Sequence, residues 1–432
     1  MINEENRAFF AREDELDMED YVVFNYYFES THDPEEAAAH LCREQSTAQW
    51  KRVGIDEDLR GQFGAKVIDL ESAGEVDTFP YSTLAPKHPK VQSCHVRIAH
   101  PHGNFGAKIP NLLTAACGEG AFHSPGIAAI KLMDIEFPGG YLAQFEGPQF
   151  GIQGLRKMLD VYDRPLFFGV VKPNIGLSPQ DFADLAYRAW QGGLDIAKDD
   201  EMLSDVEWST LKERAALTGA MRHRYEDETG EKKMYLANIT DEVHRMIALC
   251  DAAVNGGANA LMINTMTTGI SAARMVRRHA HVPLVSHFDM LAPFTSVPTF
   301  GVHSKVITKL QRLAGFDVII MPGFGDRMKI PEAEVLECVD VCLERLGHMK
   351  KTLPVPAGSQ WAGSTAFLYE KLGTVDFGIV PGRAVFSHPM GPEGGARSLI
   401  QGWEAVREGV SLQEYAENHR ELKEAIDIHA GG

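Results

Sequence analysis

With 432 residues, 44% of them hydrophobic and 24% charged, the chain has the balance of a folded protein long enough for two domains, and its composition excludes a disordered or low-complexity protein. It carries 42 basic residues against 60 acidic ones, a net charge of −18. So acidic a chain repels phosphate backbones and anionic lipid heads, which argues against nucleic acid and membrane surfaces as partners.

The N-terminus, MINEENRAFFAREDELDMED, is acidic where a targeting leader would be basic, and no apolar run reaches bilayer length, so a cytoplasmic location is expected. YVVFNYYFE (21–29) reads as a strand, DPEEAAAHLCREQ (33–45) as a helix, and KVIDLES (66–72) and CHVRIAHP (94–101) as further strands. This pattern predicts a smaller α+β sandwich domain over 1–148, with the Gly/Pro-rich stretch FEGPQFGIQG (145–154) as the linker. Six scattered cysteines without a CxxC pair read as reduced, mostly buried thiols. Cys338 and Cys342 have helical i,i+4 spacing, but no second ligand pair accompanies them to make a zinc site.

From Pro165 onward, eight short apolar runs recur: PLFFGVV (165–171), LDIA (194–197), MYLAN (234–238), ALMIN (260–264), PLVSH (283–287), DVIIM (317–321), LPVPA (353–357) and DFGIV (376–380). Helix-like segments lie between them, such as 179–193, 240–257 and 304–316, several ending in a capping glycine. Strands that alternate with helices pair in parallel, and eight such units over about 215 residues match a closed barrel. The fold class is therefore α/β: a C-terminal (β/α)8 TIM barrel over 149–432, with a helical extension from about Gly395, preceded by the α+β sandwich. An open doubly wound sheet is the competing architecture.

A barrel carries its reactive groups where its strands end. Lys172 and Asn174 follow strand one, and Lys198, Asp199, Asp200 and Glu201 follow strand two. Three acids and a lysine against an apolar strand need neutralisation, which a hard divalent cation such as Mg2+ supplies; a solvated acidic turn is the bland alternative. Asn238 ends strand three, Asn264 strand four and His287 strand five. Arg327 lies in the turn after strand six. Gly358 and Ser359 follow strand seven, and Gly382 and Arg383 follow strand eight, the common barrel phosphate site. A lysine, an acidic metal site, a histidine and a phosphate cradle at one mouth suit proton abstraction beside the carbonyl of a phosphorylated sugar.

These segments resemble a family. GGLDIAKDDE (192–201) is similar to the RuBisCO signature around its carbamylated lysine, and VVKPNIGLSP (170–179) resembles the segment with its catalytic lysines. The resemblance covers nearly the whole chain and implies the RuBisCO fold. It implies that Lys198, as a carbamate, with Asp200 and Glu201 holds Mg2+. Lys172 matches the proton-transferring lysine, and His287 a histidine that contacts substrate phosphate or hydroxyl. Glu44 in REQSTAQW (43–50), Trp50 and Glu119 match substrate-side positions of the N-terminal domain, which the homodimer of that family supplies from the partner subunit. The chain also departs from the pattern. Asn174 replaces the second lysine, Phe288 an arginine, Ile320 a histidine, Arg327 the mobile-loop lysine, Glu119 an asparagine and Ala357 a serine. These losses weaken one anion site and the groups over a new carboxylate, so carboxylation is not expected. HLCREQSTAQWKRVG (40–54), RIAHPHGNFG (97–106) and MPGFGDR (321–327) resemble the RuBisCO-like branch of phototrophic bacteria, which implies a link to sulfur metabolism and the oxidative-stress response.

The expected activity is a Mg2+-dependent enolase or isomerase acting on a phosphorylated keto compound. Lys172 is the base, His287 orients the substrate, and Asn174, Arg327, Gly358, Ser359, Gly382 and Arg383 bind it. Under this reading Lys172→Ala abolishes turnover and leaves the melting temperature nearly unchanged. A non-catalytic ligand-binding regulator and a true carboxylase are the competing readings.

Overall fold

The computed structural model describes residues 4–48, 53–54, 58–77, 90–120 and 124–429. It divides into two compact units, one comprising Met1–Phe145 with Leu291–Leu310 and the other Glu146–Met290 with Gln311–Gly432.

The first unit is built on a five-stranded sheet in the order Gly301–Val302, Ile127–Glu136, Tyr21–Ser30, Lys90–Pro101, Lys66–Asp77. The long strands pair antiparallel, with Tyr21 opposite Pro101 and Ser30 opposite Gln92. Helix Pro34–Glu44 starts where Asp33 accepts the N–H groups of Glu35 and Glu36, and it buries Ala37, Ala38, Leu41 and Cys42. Gly301–Val302 belongs to a segment that follows the fifth strand of the other unit, yet it pairs in parallel with Lys131–Leu132. The buried Lys131 ammonium fixes that segment by donating to the carbonyls of Thr295 (2.9 Å) and Val297 (2.8 Å).

The second unit is an eight-stranded parallel barrel. Its strands are Leu166–Val170, Ile196–Lys198, Met234–Asn238, Ala260–Asn264, Leu284–His287, Val318–Pro322, Leu353–Ala357 and Gly378–Ile379, one for each predicted run. The last strand pairs with the first, Gly378 opposite Leu166, which an open doubly wound sheet would not do. Among the described residues no ladder joins strands seven and eight. The Gln360 side chain bridges them instead, its amide donating to Pro356 O and its oxygen accepting from Val380 N, both at 2.6 Å. Side chains two residues apart fill the interior: Leu166 and Phe168, Met234 and Leu236, Ala260 and Met262, Val318 and Ile320, Leu353 and Val355.

Two predicted boundaries move. The supposed linker ends in a helix, Gly151–Leu159, whose Ile152, Leu155 and Leu159 pack into the barrel core. Its cap is remote in sequence: Asp317 accepts from Phe150 N (2.6 Å) and Gly151 N (2.7 Å). The helix read from 240 begins only at Met246, preceded by a turn in which Arg245 pairs with Asp205 and Asp241.

Candidate active site at the barrel mouth

The period-two alternation that fills the barrel also sets its mouth. Counting on from the inward-facing residues, the next inward positions are Val170 and Lys172, Lys198, Asn238, Asn264, His287, Ala357, and Val380 and Gly382. A cavity of about 720 Å³ opens there. It is lined by Lys172, Asn174, Lys198, Glu201, His287, Arg327, Gly358, Ser359, Gly382 and Arg383, ten of the residues expected from sequence. Asp200 does not line it; fully buried, it accepts from Lys172 Nζ at 2.6 Å. Phe288, Ile320, Met328, Ala357 and Val380 add apolar side chains to the lining.

Each acid of the 199–201 run faces an internal cation. Asp199, one residue out of phase with Lys198, points away from the mouth. It accepts from Arg214 Nε (3.2 Å) and Nη2 (3.1 Å), the Tyr235 hydroxyl (3.0 Å) and Asn238 N (2.9 Å), all buried. Arg214 also holds the carbonyls of Ser204 and Ser209, each at 2.8 Å, and so clamps the loop that carries Asp200 and Glu201. Asp200 has Lys172. Glu201 has Lys198, whose buried ammonium donates to it at 3.2 Å and to Asp199 O at 2.8 Å. Burial works to raise the Glu201 carboxyl, but Lys198 and then His287 outweigh it and hold it at about 2.

The asparagines at the ends of strands three and four lock the same loop from its backbone. Asn238 Nδ2 donates to Asp200 O (3.3 Å) and Glu201 O (3.1 Å), and Asn264 Nδ2 to Glu201 O (2.9 Å). His287 is buried and stacks on Phe288 with ring centroids 4.7 Å apart. Its Nε2 lies 3.6 Å from Glu201 and its Nδ1 3.4 Å from Asp289, the latter without hydrogen-bond alignment. Glu201, His287 and Asp289 bring donor atoms within 4.8 Å of one another, as do Cys250, Asp251 and His279 elsewhere, so either group could hold a metal ion.

On the opposite rim, Gly358 (φ 137°) and Ser359 (φ 39°) turn through left-handed backbone, and Arg327 Nη1 donates to Ser359 Oγ at 3.0 Å. The Lys172 side chain crosses close over Gly382: a Cβ there would lie 2.7 Å from Lys172 Cε and would push the lysine's end aside. Glu44 and Glu119 line a hollow of the first unit together with Gln45 and His100. Trp50 lies outside the described residues.

The roles of Asp199, Arg214 and Tyr235 were not read from sequence, nor was the part that Ala425, Ile428 and His429 of the last helix, Arg420–His429, play in lining the cavity. Strand parity could have separated Asp199 from Asp200. No local signal announces that the last helix reaches the mouth.

Comparison with known proteins agrees with this two-domain fold. Residues 10–141 match the family model of the ribulose bisphosphate carboxylase large chain, N-terminal domain, and residues 151–429 that of its catalytic domain. A ribulose bisphosphate carboxylase-like protein of Allochromatium vinosum is 59% identical over 420 residues, 97% of this chain and 92% of that one. Among solved structures, the octameric RuBisCO of Pyrococcus horikoshii superposes with a TM-score of 0.88 at 31% identity, over 98% of this chain and 96% of that one. The dimeric archaeal RuBisCO of Hyperthermus butylicus gives 0.85 at 28% identity, over 98% and 99%. The two domain matches and the full-length likeness place the chain among the RuBisCO-like proteins of the RuBisCO large-chain family.

Proposed function

We propose that the protein is an enolase or isomerase for a phosphorylated keto compound, of the branch found in phototrophic bacteria and tied to sulfur metabolism and the oxidative-stress response, and that it does not fix carbon dioxide. The observation that carries this reading is Lys172. It reaches across Gly382 into a cavity lined by the turns at Gly358, Ser359 and Gly382, by the Glu201 carboxylate and by apolar Phe288, Ile320 and Ala357.

As the free amine, having given up its ammonium proton, Lys172 takes the proton beside the carbonyl: the C–H bond breaks, an N–H bond forms, and the electron pair moves towards the carbonyl oxygen. His287, on the strand diametrically opposite in an eight-stranded barrel, orients the far side of the substrate. Asn174, Arg327 and Arg383 donate to it, and the turns at Gly358, Ser359 and Gly382 receive one phosphate. Asp200 and Glu201 offer oxygen donors that suit Mg2+, and Lys198 fits as a third ligand only as a carbamate, since an ammonium has no lone pair. Bound there, Mg2+ would polarise the carbonyl. Asp200, turned towards the ion, would release Lys172 from its pair. Phe288, Ile320 and Ala357 suit a ligand whose second end is not anionic. A homodimer, as in the dimeric archaeal relative, would bring the partner's Glu44, Trp50 and Glu119 to the site. A monomer of full activity would overturn that part.

The test is proton exchange followed by NMR in D2O with Mg2+ and a panel of phosphorylated ketoses and diketones, methylthio forms included. Exchange beside the carbonyl of one compound, lost in Lys172→Arg, is the expected result, because arginine keeps the ion pair with Asp200 but does not deprotonate. Ligand binding without exchange across the panel would favour a regulatory binding protein instead. Labelled bicarbonate incorporated into ribulose bisphosphate would overturn the non-carboxylase reading.

A further inference from the structure

A second group of donors lies away from the barrel mouth, on two of the crossover helices. Cys250 and Asp251 are consecutive on helix Met246–Gly256, and His279 is the last residue of helix Ile270–His279. Their sulfur, carboxylate and imidazole donor atoms all lie within 4.8 Å of one another. Asp251 Oδ1 and His279 Nε2 are 2.6 Å apart, so a hydrogen bond already gathers the two helices at this point.

We propose that Cys250, Asp251 and His279 bind a thiophilic divalent transition-metal ion of the zinc class. The donor set is the argument. One thiolate, one imidazole and one carboxylate suit borderline-soft zinc far better than Mg2+ or Ca2+, which take oxygen. With metal–nitrogen and metal–oxygen bonds near 2.0 Å, tetrahedral geometry separates the imidazole and carboxylate donors by about 3.3 Å. The present hydrogen bond must therefore open by less than about 1 Å, and both side chains are free to do so, being 42% and 54% exposed. Cys250 stands behind them at 2% exposure and supplies the inner ligand. The neighbouring cations do not compete for the carboxylate: Arg277 is engaged by Asp317 and Arg278 by Glu146. Three protein ligands leave a fourth position, open to water or to a donor from another molecule. Burial pushes the Cys250 thiol up to about 11, helped by Asp251, so metal binding expels its proton.

The experiment uses the full chain stripped with chelator and titrated with Co2+, which reports its own ligands. The expected result is a near-ultraviolet thiolate-to-cobalt charge-transfer band with tetrahedral visible absorption, bleached by one equivalent of Zn2+. Cys250→Ser should abolish the band, and His279→Ala should weaken Co2+ binding by at least about tenfold. Zn2+ should raise the melting temperature of the wild type but not of Cys250→Ser. Absence of the band in the wild type, or its survival in Cys250→Ser, would overturn the site and leave Asp251 and His279 as a hydrogen-bonded surface pair. The donors at Glu201, His287 and Asp289 include no sulfur, so binding there cannot mimic the signal. If Cys250→Ser does not fold, His279→Ala alone decides: unchanged cobalt affinity would overturn the proposal.

Discussion

Lys172 has two tasks that pull apart. It is the candidate base, and it is the counter-ion of Asp200, whose side chain is 0% exposed. Removing it leaves a buried carboxylate unpaired, a loss worth about 3–5 kcal/mol where such pairs have been broken. Lys172→Ala should therefore unfold several degrees below the wild type in a calorimetric scan, contrary to the unchanged melting temperature expected from sequence, and the double change with Asp200→Asn should recover most of the difference. Glu201 makes a pH-dependent statement. Its carboxyl is held at about 2 in the folded chain, against about 4.3 when unfolded, so it binds its proton more weakly when folded. The stability it contributes is complete above about pH 5 and fades as the pH falls towards 2. Denaturant melts of wild type and Glu201→Gln should differ by a constant amount at neutral pH and converge in acid. A gap that widened in acid would contradict the assignment.

At the scale of elements, the mouth is held by contacts between strand ends and not by any single strand. The loop after strand two is fixed from behind by Arg214 of helix Leu211–Thr229 and from the side by Asn238 and Asn264. Arg214 makes five hydrogen bonds through three nitrogens, a fork that lysine cannot reproduce. Closure of the barrel depends on a similar substitution of side chain for ladder. Gln360 carries the link between strands seven and eight, next to the turns assigned to phosphate. Gln360→Ala leaves Val380 N and Pro356 O without that partner, at about 1–3 kcal/mol. Amide hydrogen exchange should quicken at Val380 and its neighbours and stay unchanged on strands two to four.

For the whole molecule, chain order and spatial order part company at Leu291–Leu310, which leaves the barrel sequence to join the first unit. A protein made of residues 149–432 would keep all eight barrel strands. It would also leave Gly301–Val302 without its sheet partner and the Thr295 and Val297 carbonyls without Lys131. An exposed strand edge of that kind invites association. Light scattering of the truncated protein should show aggregates under conditions that keep the full chain dispersed, and deleting 291–310 from the truncated form should reduce them.

The sequence by itself determined the architecture, because apolar runs alternating with amphipathic ones admit few arrangements and the eight runs all became strands. It also brought most of the mouth into view, since strand ends converge in any barrel and period two assigns Lys198 and Asn238 inward without further information. Only the tertiary structure decided what each acid does. Asp199, Asp200 and Glu201 are neighbours in the chain, yet they meet Arg214, Lys172 and Lys198. Two of those three cations come from other elements, at separations that no local pattern encodes. The same holds for the Asp317 cap of Gly151, the Gln360 bridge and the last helix beside the cavity. Each depends on a contact between segments distant in sequence, fixed by how the layers pack and not by the propensity of either partner.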